Sequence, residues 1–239
     1  MLKVNPGAIV WSCAALLSGM AVESGAVGVP GQGTWETTLQ GRDLDNNPSN
    51  GFEAFYDSVL NVTWLDDNNM GGQTTWTNSK QFVETSTFYG ISGWRLPRVT
   101  DLGSPGCNAN TLSGGDCGYN VNVASSELAH LFYATLGNKA YADTNGNEQP
   151  PGWGLSNTGP MKRLYPYGYW LGSNYVGDPD RAWRFSLFTG GQDQDTISAY
   201  NYFQAVHSGD VLAVSEAPIW LTLTAGLVGI ALRKRQLLK

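Results

Sequence analysis

The chain has 239 residues and a formal net charge of −6, and only 14% of its residues are charged. Its 30 glycines and its aromatic content of 12% exclude a disordered acidic tail, a coiled coil and a helix bundle, because those classes need more charge and less glycine. The acidic balance also excludes nucleic acid as a partner, since phosphate binding requires clustered lysine and arginine. One loop-rich domain with buried aromatic residues fits this length.

The first 28 residues have the layout of a secretory signal peptide. Lys3 supplies a positive charge, an apolar run follows over residues 8–17, and small residues continue to Gly28. This order predicts export through the Sec translocon and cleavage by signal peptidase. Two alternatives are that Cys13 is a lipoprotein acceptor and that the segment is a buried helix, which would lack a polar face.

The central region combines strand patterns with helix patterns. Residues 52–65 alternate in hydrophobicity and are rich in aromatic and β-branched residues, which predicts strands ending at the Asp-Asp-Asn-Asn run, residues 66–69. Thr75 then occupies the position of an N-cap. It predicts a helix from Trp76 to about Thr87.

A second helix and a hairpin follow. Ser125 or Ser126 begins the helix, Gly137 and Asn138 end it, and its apolar residues share one face: Leu128, Leu131, Phe132 and Leu136. Residues 183–188 alternate, a turn follows over 189–192, and a partner strand is predicted over 199–206. Two helices, several antiparallel strands and long loops indicate an α+β domain.

Cys107 and Cys117 are the two cysteines left after removal of the signal peptide, and a turn-rich loop separates them. In an oxidising compartment this arrangement predicts a disulfide. Such a bond would contribute about 2–3 kcal/mol by closing a small loop. The alternative is a catalytic or metal-binding pair, although neither histidine nor another cysteine lies near it in the sequence.

Calcium is the one cofactor for which the sequence offers ligands. Oxygen-bearing side chains alternate around a glycine turn, and the candidate ligands are Asp143, Asn145, Asn147 and Glu148. The run at 66–69 is a second oxygen-rich cluster. The alternative is ordinary turn chemistry, because asparagine, aspartate and glycine dominate turns.

Tyrosines at alternate positions are candidate ligand contacts. Tyr165, Tyr167 and Tyr169 would point to one side of an extended segment. Exposed aromatic rings in such an array stack on sugar rings, and their hydroxyl groups form hydrogen bonds. The alternative is that all three tyrosines pack in the core.

Catalytic arrangements are hard to assemble from this sequence. His130 and His207 have no serine or cysteine partner in a recognisable motif, and the chain has no glycine-rich phosphate loop. Two acid pairs, Asp178/Asp180 and Asp193/Asp195, could serve a glycan-acting hydrolase, which needs two facing carboxylates. Solvated aspartates are common in such turns, so we expect no enzymatic activity.

The C-terminus has a three-part layout. It begins with a short motif, Ser215, Glu216, Ala217 and Pro218, which is followed by an apolar run over 219–232. It ends with a basic tail, Arg233, Lys234 and Arg235. This layout resembles the PEP-CTERM sorting signal of Gram-negative bacteria, whose members place Pro-Glu-Pro before the helix. The resemblance implies a C-terminal hydrophobic helix in the membrane and an exosortase-type transpeptidase as partner. A plain C-terminal anchor is the alternative.

A second resemblance depends on four sequence blocks within about residues 43–211. In chain order, the blocks are 56–65, Gly-Trp-Arg-Leu-Pro at 93–97, Tyr-Trp-Leu-Gly-Ser at 169–173 and Ala-Trp-Arg-Phe at 182–185. Together they resemble the Lcl C-terminal domain family. The resemblance implies a fold similar to C-type lectins and to the formylglycine-generating enzyme. It also implies a surface protein, since some family members are linked to adhesion.

The tryptophans of these blocks are expected to be scaffold residues, because a buried indole dominates core energetics. They are Trp94, Trp170 and Trp183. Arg95 is expected to pair with a buried carboxylate such as Asp101 or Asp57. The alternative for Arg95 is a contact with ligand.

These observations predict three regions: a signal peptide at 1–28, an exported domain at 29–213 and a sorting signal at 214–239. The expected protein is non-catalytic, lies in the cell envelope or outside the cell of a Gram-negative bacterium, and binds an extracellular glycan or matrix polymer. Its alternatives are a self-associating structural surface component without a specific ligand, and a glycan-acting hydrolase.

Overall fold

The computed structural model describes residues 32–66, 72–103, 112 and 115–212. In this part of the chain the helices are short: α1 (Trp35–Thr38), α2 (Trp76–Thr85) and α3 (Glu127–Ala129), which continues into a π-helix over His130–Thr135. The strands are β1 (Leu39–Arg42), β2 (Ala54–Asp57), β3 (Val62–Leu65), β4 (Trp94–Arg95), β5 (Gly168–Tyr175), β6 (Asp178–Ser186), β7 (Gln192–Thr196), β8 (Tyr202–Phe203) and β9 (Val206–Ser208). Few helices and mostly antiparallel strands confirm the predicted α+β class.

A five-stranded antiparallel sheet joins both ends of the described chain. Its order is β1-β2-β3-β9-β4, so the last strand lies between β3 and β4. The strands predicted within 52–65 are confirmed as the β2–β3 hairpin. Its turn contains Asn61, whose φ of 52° is one that asparagine tolerates better than most residues. Arg42 of β1 forms an ion pair with Asp210 just after β9, at 2.6 Å.

A four-stranded sheet of order β7-β6-β5-β8 carries the candidate site. β5, β6 and β7 are successive antiparallel strands, and β8 pairs in parallel with β5. The predicted partner strand over 199–206 is wrong, because β7 is the partner of β6. β7 has the sequence Gln-Asp-Gln-Asp-Thr and therefore lacks the hydrophobic alternation that signals a strand. Residues 199–206 instead supply β8 to this sheet and the start of β9 to the other.

Both predicted helices are present. The Thr75 side chain accepts a hydrogen bond from the backbone N–H of Asn78 and caps α2, as predicted. The Ser126 side chain accepts from the N–H of Ala129 and caps α3. The second helix continues with π rather than α geometry, but its predicted inward residues are buried, namely Leu128, Leu131, Phe132 and Leu136.

Two clusters of buried apolar residues form the core. One contains Tyr169 and Trp183 of the four-stranded sheet, and the other contains Trp94 and Trp170. All four side chains are almost completely buried, which confirms the expected role of the three tryptophans. Each of these indoles also donates a hydrogen bond, so its burial leaves no polar atom unsatisfied.

The prediction that Arg95 pairs with Asp101 or Asp57 is wrong. Its guanidinium donates to both carboxylate oxygens of Glu127, at 2.8 Å each. Asp101 instead accepts from the indole of Trp183 at 3.0 Å. Asp57 is buried and accepts two backbone N–H groups and a threonine hydroxyl. Other donors therefore occupy both predicted carboxylates, and Arg95 pairs with an acid at the start of α3.

The predicted export segments, 1–28 and 214–239, lie outside the described residues and stay predictions. Cys107 also lies outside them, so the disulfide with Cys117, which is buried, stays a prediction as well. None of the helices in the described ranges has both the length and the apolar character that a membrane span requires.

The Arg95–Glu127 pair predicts a large effect on stability. Both side chains are about 15% exposed, so Glu127→Ala leaves a nearly buried guanidinium without its partner. We expect the free energy of unfolding to fall by about 2–4 kcal/mol in urea denaturation followed by tryptophan fluorescence. Glu84→Ala removes the exposed pair with Lys80 and is expected to cost under about 0.5 kcal/mol. Equal losses in the two variants would contradict this role of Glu127.

Candidate functional site

The candidate site lies where β8 meets the start of β5. The parallel pairing places Tyr202 opposite Tyr169. The segment before β5 is held by the N–H of Tyr165, which donates to the Tyr169 hydroxyl at 3.0 Å. The Tyr167 carbonyl accepts from the N–H of Leu187 at 2.9 Å. Backbone and side-chain bonds therefore set the positions of these aromatic residues.

Four tyrosines form one cluster around Tyr202, which we call the tyrosine cluster. The Tyr167 ring stacks on Tyr202 with centroids 4.9 Å apart and an interplanar angle of 19°. The Tyr169 and Tyr165 rings lie 5.8 and 6.3 Å from Tyr202. Such contacts hold the outer rings in place, since stacked aromatic pairs contribute about 0.5–1.5 kcal/mol beyond their buried area.

The three predicted contact tyrosines have different environments. Tyr169 is completely buried, while Tyr165 is 37% and Tyr167 is 48% exposed. The prediction that Tyr169 contacts a ligand is therefore wrong. Tyr169 lies within β5, opposite Phe185 in the core. Its burial raises the pKa of its hydroxyl group above the ordinary value. Tyr165 and Tyr167 precede the strand and stay at the surface. The predicted surface position therefore fits Tyr165 and Tyr167, whereas the alternative of core packing fits Tyr169.

Sequence reasoning missed Tyr202. The pattern over 199–206 placed it inside a partner strand for β6, whereas it supports the Tyr167 ring from β8. A parallel pair between segments more than thirty residues apart leaves no local signal. The one available signal was the spacing of Tyr200 and Tyr202, which resembles the alternation of Tyr165 and Tyr167.

A polar network adjoins the tyrosine cluster. Arg184 of β6 bonds Asp193 through two nitrogens, at 2.6 and 3.2 Å, and Asp195 at 2.9 Å. The Asn201 amide oxygen lies 3.3 Å from the same guanidinium. At Gly168 a Cβ would lie only 2.5 Å from that amide oxygen, so glycine lets the chain beside Tyr167 approach the network closely.

This network engages both carboxylates of the second predicted acid pair. Glycoside hydrolysis requires two carboxyl groups that face the scissile bond. Asp193 and Asp195 instead both bond the Arg184 guanidinium. The arrangement favours a fixed surface that offers aromatic faces and hydrogen-bonding groups.

The predicted calcium ligands at 143–148 form a self-contained turn. The Asp143 carboxylate accepts from the backbone N–H of Asn145 and from the backbone and side chain of Asn147, at 2.8–2.9 Å. These bonds, the Asn147 side chain first, lower the pKa of Asp143. Glu148 turns to the Tyr141 hydroxyl instead, at 2.9 Å. This geometry favours the alternative of ordinary turn chemistry.

Another set of acids converges more closely. Oxygens of Asp43, Asp45 and Glu53 lie within 4.8 Å of one another, and carboxylate oxygens are suitable ligands for a hard cation. The same carboxylates accept hydrogen bonds from the backbone. The N–H of Asn47 donates to both aspartates, and the N–H of Leu44 donates to Glu53. Sequence reasoning missed this group, although the Asp-x-Asp spacing is visible. Its bonds account for the convergence without a metal.

Among the described residues, Asp66 is the carboxyl group whose pKa departs furthest from its ordinary value. Both of its oxygens accept from the backbone N–H of Lys162, at 3.0 and 3.2 Å. It borders a cavity of about 180 Å³ that also touches Phe52 and Glu53. Burial is the largest influence and raises its pKa to about 6, against the lowering effect of those hydrogen bonds.

No protein-family model matches the chain, and neither a curated protein nor a solved structure matches it. The resemblance to the Lcl C-terminal domain family therefore stays a prediction from the four sequence blocks. The resemblance to the PEP-CTERM signal stays a prediction in the same way.

The raised pKa of Asp66 predicts a pH-dependent stability. The native state binds this proton more tightly than the unfolded chain, so the contribution of Asp66 falls as pH rises from about 4 to about 6. Wild type should lose about 2 kcal/mol relative to Asp66→Asn across that range in urea unfolding.

Asp143→Asn is the control, because the lowered pKa of Asp143 makes its contribution disappear as pH falls. A constant stability difference between wild type and Asp66→Asn from pH 4 to 7 would contradict the account of Asp66.

Proposed function

We propose that this protein is an exported, non-catalytic domain that binds a glycan or matrix polymer at the cell envelope or in the extracellular matrix. The tyrosine cluster is the binding surface, with Tyr165 and Tyr167 as the contacting residues. The α+β architecture is compatible with the C-type-lectin-like fold that the sequence blocks imply. This finer assignment is part of the proposal.

The exposure of Tyr165 and Tyr167 on a partly buried aromatic support, Tyr202, carries the proposal. A large side chain at the surface usually loses conformational entropy when it binds, which weakens association. The contacts with Tyr202 restrict these rings before any ligand arrives. A ring held in this way offers apolar area and a hydroxyl group to a sugar at low entropic cost.

Two arrangements support a non-catalytic role. Asp193 and Asp195 are bonded to one guanidinium, as described above. Asp178 accepts from the backbone N–H of Asp180 at 3.0 Å, and Arg181 lies 3.7 Å from its other oxygen. In both predicted pairs, at least one carboxylate is therefore bonded to a neighbouring cation or N–H group, whereas glycoside hydrolysis requires two carboxyl groups that face the scissile bond.

Delivery to the surface is proposed from the two ends of the sequence. The signal peptide at 1–28 directs the chain to the Sec translocon and signal peptidase. The 214–239 segment places an apolar helix in the membrane and is processed by an exosortase-type transpeptidase. The basic tail at 233–235 stays cytoplasmic under the positive-inside rule.

The sorting proposal predicts that loss of the C-terminal helix releases the protein. Deletion of residues 220–239 removes the apolar run and the basic tail together. We expect the truncated protein in the medium and the full-length protein in the cell-envelope fraction, measured by immunoblotting of fractionated cells. Unchanged retention of the truncated protein would contradict the proposal.

Binding is tested with the full-length chain and exopolysaccharide purified from the producing cells. Tyr167→Leu keeps an apolar side chain but removes the aromatic face, so affinity should fall about threefold to tenfold in affinity electrophoresis. Phe52→Leu is the matched control, because Phe52 is 50% exposed and has an aromatic neighbour of its own. It should leave affinity unchanged.

The same binding experiment is run with calcium and with a chelator. Loss of binding in the chelator alone would assign calcium a role and direct attention to Asp143 and to the group at Asp43. Failure of wild type to bind under either condition would contradict the proposal. Concentration-dependent assembly in light scattering without glycan would then favour the self-associating structural component.

A further inference from the structure

A second row of aromatic rings lies near the tyrosine cluster. Ring centroids are 6.0 Å apart from Tyr119 to Tyr141, 5.2 Å from Tyr141 to Trp153, and 5.5 Å from Trp153 to Phe188. We call these four residues the Trp153 surface. Phe188 is 52% exposed, and the other three are partly buried. Aromatic rings at the surface, rather than in the core, are typical of binding sites.

Backbone contacts place the Trp153 surface beside the proposed binding site. The N–H of Leu187 donates to the Tyr167 carbonyl, so Phe188 is only one residue away from a direct bond with the tyrosine cluster. At Gly154 a Cβ would lie 2.9 Å from the Phe188 carbonyl oxygen. The loop that carries Trp153 therefore lies tightly against the turn that carries Phe188.

Polar groups border these rings. The Tyr141 hydroxyl donates to Glu148 at 2.9 Å.

We propose that the Trp153 surface binds further units of the polymer that occupies the tyrosine cluster, and that this polymer is a neutral, hydroxyl-rich polysaccharide. This inference rests on the proposed function and extends it from one sugar contact to a site for several consecutive units. Two contact regions on one domain raise affinity, because the second contact forms at high effective concentration.

Charge selects a neutral polymer over an anionic one. The Glu148 carboxylate borders the Trp153 surface, and Asp193 and Asp195, which share the single Arg184 guanidinium, adjoin the tyrosine cluster. The whole chain carries a net charge of −6. Carboxylates accept hydrogen bonds from sugar hydroxyl groups, whereas they repel uronate and sulfate groups.

The test compares long and short fragments of the same polymer. Size-fractionated fragments of exopolysaccharide from the producing cells are titrated into the full-length chain by calorimetry. Phe188→Leu should weaken binding of long fragments about threefold to tenfold and leave binding of the shortest bound fragments unchanged. Tyr167→Leu should weaken binding of both, and Phe52→Leu should affect neither.

The outcomes separate the inference from the proposed function. Normal binding of long fragments by Phe188→Leu, with a loss in Tyr167→Leu, would overturn the second surface alone. Absence of binding by wild type would overturn both. Stronger binding of a polyuronate than of neutral fragments would overturn the neutral assignment.

Discussion

The parallel pairing between β5 and β8 is the constraint on which the rest of the structure depends. Only two residues of β8 take part, and they face opposite sides of the sheet. Tyr202 supports the tyrosine cluster, while Phe203 enters the core cluster that contains Trp94 and Trp170. A single short strand thus joins the surface that we propose binds glycan to the core that holds the domain together. A change in its register would disturb both, because side chains alternate along a strand.

Contacts on several sides restrict the residues that form the candidate site. Tyr167 is held by a stacked ring, by its own carbonyl bond and by the close approach at Gly168. The neighbouring carboxylates are held by Arg184. These restraints suit the proposed recognition of an extended polymer, since little ordering is then required on binding.

The sequence was informative where the signal is local. Thr75 predicts the start of α2 because an N-cap needs only neighbouring residues, and the β2–β3 hairpin follows from alternation over 52–65. Non-local choices could not be predicted. β7 is polar, and its pairing with β6 places Asp193 opposite Arg184. Arg95 pairs with Glu127, an acid 32 residues away in the chain. Of the candidate site, exposed tyrosines were predicted, but their division into contact and core was not.

The central claim is that the outer faces of Tyr165 and Tyr167 contact the polymer. Nuclear magnetic resonance of the full-length chain with ¹³C-labelled tyrosine rings tests it directly during titration with exopolysaccharide from the producing cells. The account predicts that the ring signals of Tyr165 and Tyr167 shift, while that of Tyr56 on the other sheet does not. Saturating binding without a shift at Tyr165 or Tyr167 would contradict it.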